Sequence, residues 1–468
     1  MTIKFILSAL VLLLLCLITS TLVNGQPGFK PVVESLDNVS MDDVLQGEGL
    51  NSDQGFTWGI DSDFGRDIAT DYNGNVYTVG DTHNIVNGTQ FRDIVLVKWD
   101  ESGNQLWDRT WPGSGDADGY SYEGIGVDVD IDGNVYTFGV CDRYVGSWSS
   151  LVKWNSSGQE IWNRTLELFR CIEAAVDHNK NIYTVGYNED WTFSLIKWDP
   201  NGNQLWNHTR DDLGVHLGYG VTVDNNGCIY TLGSKGSTSS YAFLVKWDTN
   251  GNQMWNRTWK EVNYGYGVAT DSYRNIYTIG ESRLPDFMES NVVLVKWNSE
   301  GEQLWIQTLN HTLYVYKARD VAVGGDGSVY VVGSIPRSSN SQTKKFPGNY
   351  DLLVVKWNET GGLIGAKTWG VTSGSTNFSH ADWGSGITIG RNDKIYCVGT
   401  THWPNGNYKL LMVIFSPDNF TMAVFPSIIP TSVPGIDLLL LILTISLLAF
   451  LTKKRKKIRR KNMLNVKD

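Results

Sequence analysis

Asn75-Val76-Tyr77-Thr78-Val79-Gly80 decides the fold, because the element returns six more times along the chain. Its general form, [N/K/S]-[VI]-Y-[TV]-x-G or a close variant, carries Tyr77, Tyr136, Tyr183, Tyr230, Tyr277, Tyr330 and Tyr396, at intervals of 59, 47, 47, 47, 53 and 66 residues. Seven copies at a basic period near 47 predict an all-β, seven-bladed β-propeller of four-stranded antiparallel blades.

The residues around this element divide each copy into four strands. Ahead of it lies a stretch such as Gly265-Tyr266-Gly267-Val268-Ala269-Thr270, read as strand A. A turn such as Asp71-Tyr72-Asn73-Gly74 joins strand A to the Tyr element, strand B, and its Asn and Gly suit the left-handed backbone of tight hairpins. Strand C, Ile94-Val95-Leu96-Val97-Lys98-Trp99, is almost continuously apolar, as expected when stacked blades cover both faces of a sheet. A second tight turn, Ser102-Gly103-Asn104, leads to strand D, Gln105-Leu106-Trp107-Asp108-Arg109-Thr110-Trp111. The tryptophans at repeat spacing (Trp99, Trp154, Trp198, Trp247, Trp297 and Trp357 in strand C) read as packing between blades, since each ring removes about 150–250 Å² from water. Phe56-Thr57-Trp58-Gly59, ahead of the first full copy, matches the end of strand D and is expected to pack near the last blade and help close the ring.

The regular charges are Lys98, Lys153, Lys197, Lys246, Lys296 and Lys356 on strand C. They emerge on the same face as the A–B turn aspartates, which predicts a ring of Lys–Asp pairs. The seventh copy has lost both, with Gly390 and Ile414 in those places. Asp128-Val129-Asp130-Ile131-Asp132-Gly133 begins like a calcium loop, but Gly139 stands where a bidentate Glu is needed, and Asp130 aligns with the turn aspartates of other copies. The better candidate for a cation is Asp116 and Asp118 with Glu123, in an insertion outside the repeat. Beyond that weak calcium candidate, no cofactor is expected.

The ends read as addresses. Residues 1–25, with Lys4, an apolar run and Val23-Asn24-Gly25, predict a secretory signal peptide. Residues 26–55 read as a linker, 56–425 as the propeller, 426–437 as a second linker, 438–452 as a transmembrane anchor and 453–468 as a basic cytoplasmic tail. Of the 39 Lys and Arg, nine follow Thr452 and one lies in the first 25 residues, whereas of the 49 Asp and Glu only Asp468 lies outside residues 26–452. The stretch between thus sets 29 basic against 48 acidic residues. Such an excess of negative charge argues against a nucleic-acid partner. Sequons begin at Asn38, Asn87, Asn155, Asn163, Asn207, Asn256, Asn310, Asn358, Asn377 and Asn419, and an exported chain would offer the exposed ones for glycosylation. Cys141, Cys171, Cys228 and Cys397 match no zinc or redox spacing; a Cys141–Cys171 disulfide is one option and buried thiols are the other.

The elements G-x-[GD]-[VI]-[AT]-x-D, G-N-[VI]-Y-T-x-G and L-V-K-W-[DN], over roughly residues 56–425, resemble the repeats of the SBBP β-propeller family. The resemblance implies the fold and little chemistry, because that family is functionally mixed. Pro434-Gly435, the short apolar run and the basic cluster resemble archaeal C-terminal sorting signals of the PGF-CTERM kind, although no Phe follows Gly435.

The seven histidines are scattered, and no metallopeptidase, serine-hydrolase or phosphate-loop motif stands in a convincing context. Length variation is the better clue to function. The A–B and C–D turns stay short, and insertions fall after strand B or after strand D, which an up-and-down blade places on one face. Variable loops on a rigid scaffold are where recognition resides. Asp116, Asp118, Tyr120, Tyr122, Trp148, Phe346, Tyr350, Trp383, His402 and Trp403 populate that face or its approaches. The expected function is a cell-surface, non-enzymatic module binding an extracellular protein or glycan. An extracellular hydrolase or lyase with its site at the propeller axis, or a structural surface-layer component, are the alternatives. A tight carboxylate group at the axis would favour the enzyme.

Overall fold

The computed structural model describes residues 54–420, except segments 60–61, 87–88, 112–120, 143–146, 211–215, 237–239, 284–289, 310–316, 337–349, 371–381 and 403–406. Asp116, Asp118, Tyr120, Phe346, Trp403, Asn87, Asn310, Asn377 and both terminal segments therefore lie outside the described residues. The signal-peptide, anchor and sorting-signal expectations fall on those ends.

Seven four-stranded antiparallel sheets make the propeller. In blade 1 the strands run Asp63–Thr70 (A), Val76–Val86 (B), Thr89–Trp99 (C) and Gln105–Trp111 (D). The A strands of blades 2 to 7 are Tyr122–Val129, Phe169–Val176, His216–Val223, Tyr264–Thr270, Lys317–Val323 and Asp382–Ile389. The last sheet takes its fourth strand from the N-terminal side: Gln54–Trp58 pairs with strand C of blade 7, Tyr408–Phe415. Thr57 and Trp58 oppose Leu411 and Leu410 as Thr110 and Trp111 oppose Val95 and Ile94 in blade 1. The stray Phe-Thr-Trp of the sequence is thus strand D of the last blade, and it closes the ring.

The repeat residues hold the blades together through one relay. The turn aspartate accepts backbone N–H groups of its own turn, as Asp177 does from Asn179 and Asn181, and its second oxygen accepts the hydroxyl of the buried Tyr183 at 3.0 Å. Lys197 Nζ stands 5.2 Å from the centre of the Tyr183 ring, a cation–π contact. It donates to the Thr249 carbonyl in the C–D turn of the next blade at 2.9 Å. The same donation runs from Lys98 to Ser156, Lys153 to Pro200, Lys246 to Ser299, Lys296 to Glu359 and Lys356 to Pro417, over 2.9–3.3 Å. The turn aspartates act on these lysines by charge, Asp71 on Lys98, Asp130 on Lys153 and Asp177 on Lys197, while the direct hydrogen bond of each lysine goes elsewhere. The hydroxyl of the tyrosine takes the carboxylate, and the lysine reaches onward to the neighbouring blade; Lys153 and Asp130 still approach to 3.9 Å. Blade 7 lacks both partners, and there the Tyr396 hydroxyl and Lys394 Nζ donate to the equivalent carbonyl, Glu101, at 3.2 and 3.1 Å.

The glycine ending the Tyr element is a packing requirement. A Cβ on Gly80 or Gly186 would collide with the carbonyl oxygen of Phe64 or Arg170 on the adjacent A strand, so no side chain fits without parting strands A and B. Cys141, Cys171, Cys228 and Cys397 carry free thiols, which removes the Cys141–Cys171 disulfide. Cys141 and Cys171 sit in separate apolar clusters, and burial pushes the Cys171 thiol up. Asn163, Asn207 and Asn256 stand exposed on the outer D strands.

Candidate functional site

Each A strand lines the axis, and each carries a β-bulge near its middle, as at Gly65/Asp67, Cys171/Glu173 and Ala318/Asp320. A bulge leaves one residue unpaired and re-aims its side chain. In the seven blades this residue is Arg66, Ile125, Ile172, Tyr219, Tyr266, Arg319 and Ser385, and all seven line one axial cavity of about 780 Å³. Phe64, Glu123, Arg170, Tyr350 and Trp383 complete its wall. These residues belong to the beginnings of A strands and of one C strand, so the cavity is a bowl on the face of the variable loops.

One residue further along strand A, blades 1, 3 and 6 carry Asp67, Glu173 and Asp320, where the other four carry glycine. These three carboxyls line both the bowl and a second chamber of about 230 Å³ on the side of the A–B turns. They form the floor between the two. A Cβ on Gly126 would stand 3.4 Å from a Glu173 oxygen and 3.5 Å from an Asp67 oxygen, so Gly126 lies against both acids.

The floor acids also tie blade to blade. Asp67 accepts Ile68 N–H and, across the junction, Val127 N–H, both at 2.8 Å. Asp320 accepts Val321 N–H at 2.7 Å and Ile387 N–H at 3.1 Å. Asp128 does the same for Val129 and Val176, at 2.7 Å each. Asp128 is thus an axial tie and Asp130 an ordinary turn residue, as the repeat alignment implied. Burial, with the nearby Asp320 charge adding to it, pushes the Asp67 carboxyl up to about 8. Burial raises Asp128 and Asp320 to about 6, against the hydrogen bonds that lower them. Burial and the Asp67 and Asp320 charges hold Glu173 well above the ordinary range. Asp67 is therefore largely protonated near neutral pH while Asp320 is largely ionised, and a protonated carboxyl can donate a hydrogen bond as well as accept one.

Around the mouth, Arg66 Nε donates to Asp81 at 3.0 Å and its guanidinium lies 5.7 Å from the centre of the Phe64 ring. Arg319 is exposed and lies 5.9 Å from the Tyr266 ring, whose hydroxyl donates to Glu281 at 2.7 Å. Tyr219 and Tyr266 meet edge to face at 6.0 Å, and Trp383 stacks on Tyr408 at 5.8 Å.

Among the loop-face residues read from the sequence, Tyr350 and Trp383 reach the bowl. Tyr122 does not: it is buried against Trp111, edge to face at 5.7 Å, in the core between blades. Trp148 packs half-buried on that same core, and the His402 ring lies 4.9 Å from Tyr408. Glu123, the described member of the calcium candidate, is paired with Arg92 and stands 4.0 Å from Arg66. No group of three metal-ligating side chains occurs among the described residues. Sequence reading missed Arg66, Asp67, Glu173, Tyr219, Tyr266, Arg319 and Asp320. The available signal was the pair x-[GD] inside G-x-[GD]-[VI], whose identity changes from blade to blade.

Residues 59–85 match the family described as SBBP, a beta-propeller repeat. No curated protein is similar to the chain. The β-propeller domain of the Trilobed protease from Pyrococcus furiosus gives a TM-score of 0.44 at 12% identity, over 75% of this chain and 95% of that one. A protein of unknown function from Dyadobacter fermentans gives 0.46 at 8% identity, over 78% and 99% respectively. These likenesses concern general architecture and carry no inference about a ligand.

Proposed function

We propose that this chain is a membrane-anchored, cell-surface β-propeller that binds a glycan in the axial bowl without transforming it. Export and anchoring rest on the apolar segments at the two ends and the basic run from Lys453. The observation that carries the binding reading is the bowl, about 780 Å³, walled by Phe64, Tyr219, Tyr266, Tyr350 and Trp383 with charged groups between the rings. Five aromatic residues stand among seven charged ones, and a concave site of this size with that mixture suits a polar small ligand or chain end better than a flat protein surface. The aromatic faces match the C–H faces of sugar rings, and the arginines and acids match their hydroxyls.

An array of neutral and acidic oligosaccharides, probed with the full-length protein in detergent, tests the reading. Binding is expected, and Tyr266→Ala with Trp383→Ala weakens it at least tenfold, about 1.4 kcal/mol. Leu205→Ala on an exposed outer strand leaves it unchanged. Silence across the array, or equal binding by the double variant, overturns the proposal.

A hydrolase or lyase is the second reading, and the raised Asp67 and Glu173 carboxyls either side of Gly126 favour it. Glycosidases work with two carboxyls about 5–9.5 Å apart. The blade-to-blade hydrogen bonds of Asp67 account for that acid without catalysis. New reducing or unsaturated ends on incubation with the bound oligosaccharides, abolished by Glu173→Gln, would establish the enzyme.

A further inference from the structure

We infer that the glycan taken by the axial bowl is acidic, a uronic-acid oligosaccharide whose carboxylate lies between Arg319 and Arg66 while a sugar ring lies against Tyr219 and Tyr266. The inference rests on the glycan reading above and gives it a direction.

The ring of bulged residues is two-sided. Blades 6, 7 and 1 place Arg319, Ser385 and Arg66 side by side, two guanidinium groups flanking a hydroxyl. The opposite arc, blades 2 to 5, is apolar and aromatic and ends in the edge-to-face pair Tyr219 and Tyr266. Arg66 is already bonded to Asp81, so the exposed guanidinium of this arc that a neutral sugar would leave unmatched is that of Arg319. A carboxylate suits it, because guanidinium forks carboxylate oxygens with two parallel hydrogen bonds. Each guanidinium also lies over an aromatic ring, Arg66 over Phe64 and Arg319 over Tyr266, which pre-positions it before the ligand arrives.

The charges around the bowl agree. Arg170 is a third cation on its wall, Glu123 is already held by Arg92, and burial disfavours the charged forms of Asp67 and Glu173. This concentration of arginine stands in a stretch where 48 acidic residues face 29 basic ones. The general field of the domain repels anions, so an anionic ligand must be recognised locally, and the bowl is where guanidinium groups converge.

Calorimetry on the full-length protein tests this with three probes: galacturonate hexamer, the same hexamer with its carboxyls reduced to galactose, and a poly-glutamate peptide. The uronate is expected to bind at least tenfold more tightly than the reduced hexamer. Arg319→Gln is expected to remove most of that preference while keeping the wild-type melting temperature, and Arg319→Lys to restore part of it. Equal binding of the two hexamers overturns the acidic assignment and leaves glycan binding standing. Binding of neither hexamer, with other array sugars also silent, overturns both. Binding of the peptide alone assigns the arginines to a protein partner and also overturns the inference.

Discussion

A chain from which Gln54–Trp58 has been deleted is expected to lose its cooperative unfolding transition near the wild-type temperature, with a fall of at least about 10 °C. The reason lies in the ladder. Five residues pair with strand C of blade 7, and without them that strand becomes an edge carrying Leu410 to Phe415, all buried in the intact ring. Phe56 and Trp58 pack against the cluster that includes Ile68, Val97, Leu410 and Met412, which belong to blades 1 and 7. Phe56 stands in the register position of Arg109, Arg164 and Arg257, whose guanidinium groups donate to the next blade's turn glycine at 2.7–2.8 Å. Its ring lies against Gly103, the corresponding glycine of blade 1. Phe56 and Trp58 are half-buried, so their two rings contribute on the order of 3 kcal/mol and a single Trp58→Ser substitution should cost about 1–2 kcal/mol. Differential scanning calorimetry checks both variants. An unchanged melting temperature for the deletion would mean that the ring does not depend on its closing strand.

The second large effect is on pH dependence, and its source is the axis. Asp67 is held at about 8, and Asp128 and Asp320 at about 6, whereas an unfolded aspartate titrates near 3.9. Between those values the native state binds more protons than the unfolded chain, so stability falls as pH rises through that window. Opposed to this are Asp100 and Asp248, whose carboxyls the side-chain amides of Asn104 and Asn252 hold below the ordinary range. Their contribution is present above the unfolded value and is lost as pH falls below it. The two trends place the stability maximum near the unfolded value, at about pH 4. Urea unfolding is expected to show a gain on the order of 2 kcal/mol between pH 8 and 5.5. Asp67→Asn should flatten that slope. It should also cost about 1–3 kcal/mol at pH 5.5, because its amide NH₂ would face one of the two N–H groups that Asp67 now accepts. A wild-type curve that rises from pH 5.5 to 8, or an unchanged slope in Asp67→Asn, contradicts this account of the axis.

What repeats was legible, and what sits at the axis was not. Tyr77, Tyr136, Tyr183, Tyr230 and Tyr277, with their turn aspartates and strand-C lysines, do the same work in successive blades, so their period exposes them. The closing strand was legible for the same reason, since Thr57-Trp58 repeats Thr110-Trp111. The lysines' bond to the next blade was not legible, because sequence gives the face of a strand but not the reach of its side chain. Lys197 passes over the Tyr183 ring, within the field of Asp177, and donates to Thr249 of the next blade. The bowl stayed hidden because one bulge per A strand turns a single residue inward, and that residue is Arg, Ile, Tyr or Ser according to the blade. Asp67, Glu173 and Asp320 come from blades 1, 3 and 6, and only ring closure brings them into one floor. Tyr122 was placed among the loops because a strand start next to an insertion looks like loop; its ring in fact turns under Trp111.

Hydroxyl-radical footprinting of the full-length protein, with and without the tightest-binding oligosaccharide of the array, tests most directly whether recognition lies at the axis. Protection of Tyr219, Tyr266, Tyr350 and Trp383, with Leu106, Leu205 and Met254 on the outer strands unaffected, is the result predicted. Protection confined to the outer strands or to the A–B turns, with those four rings as reactive as before, would contradict it.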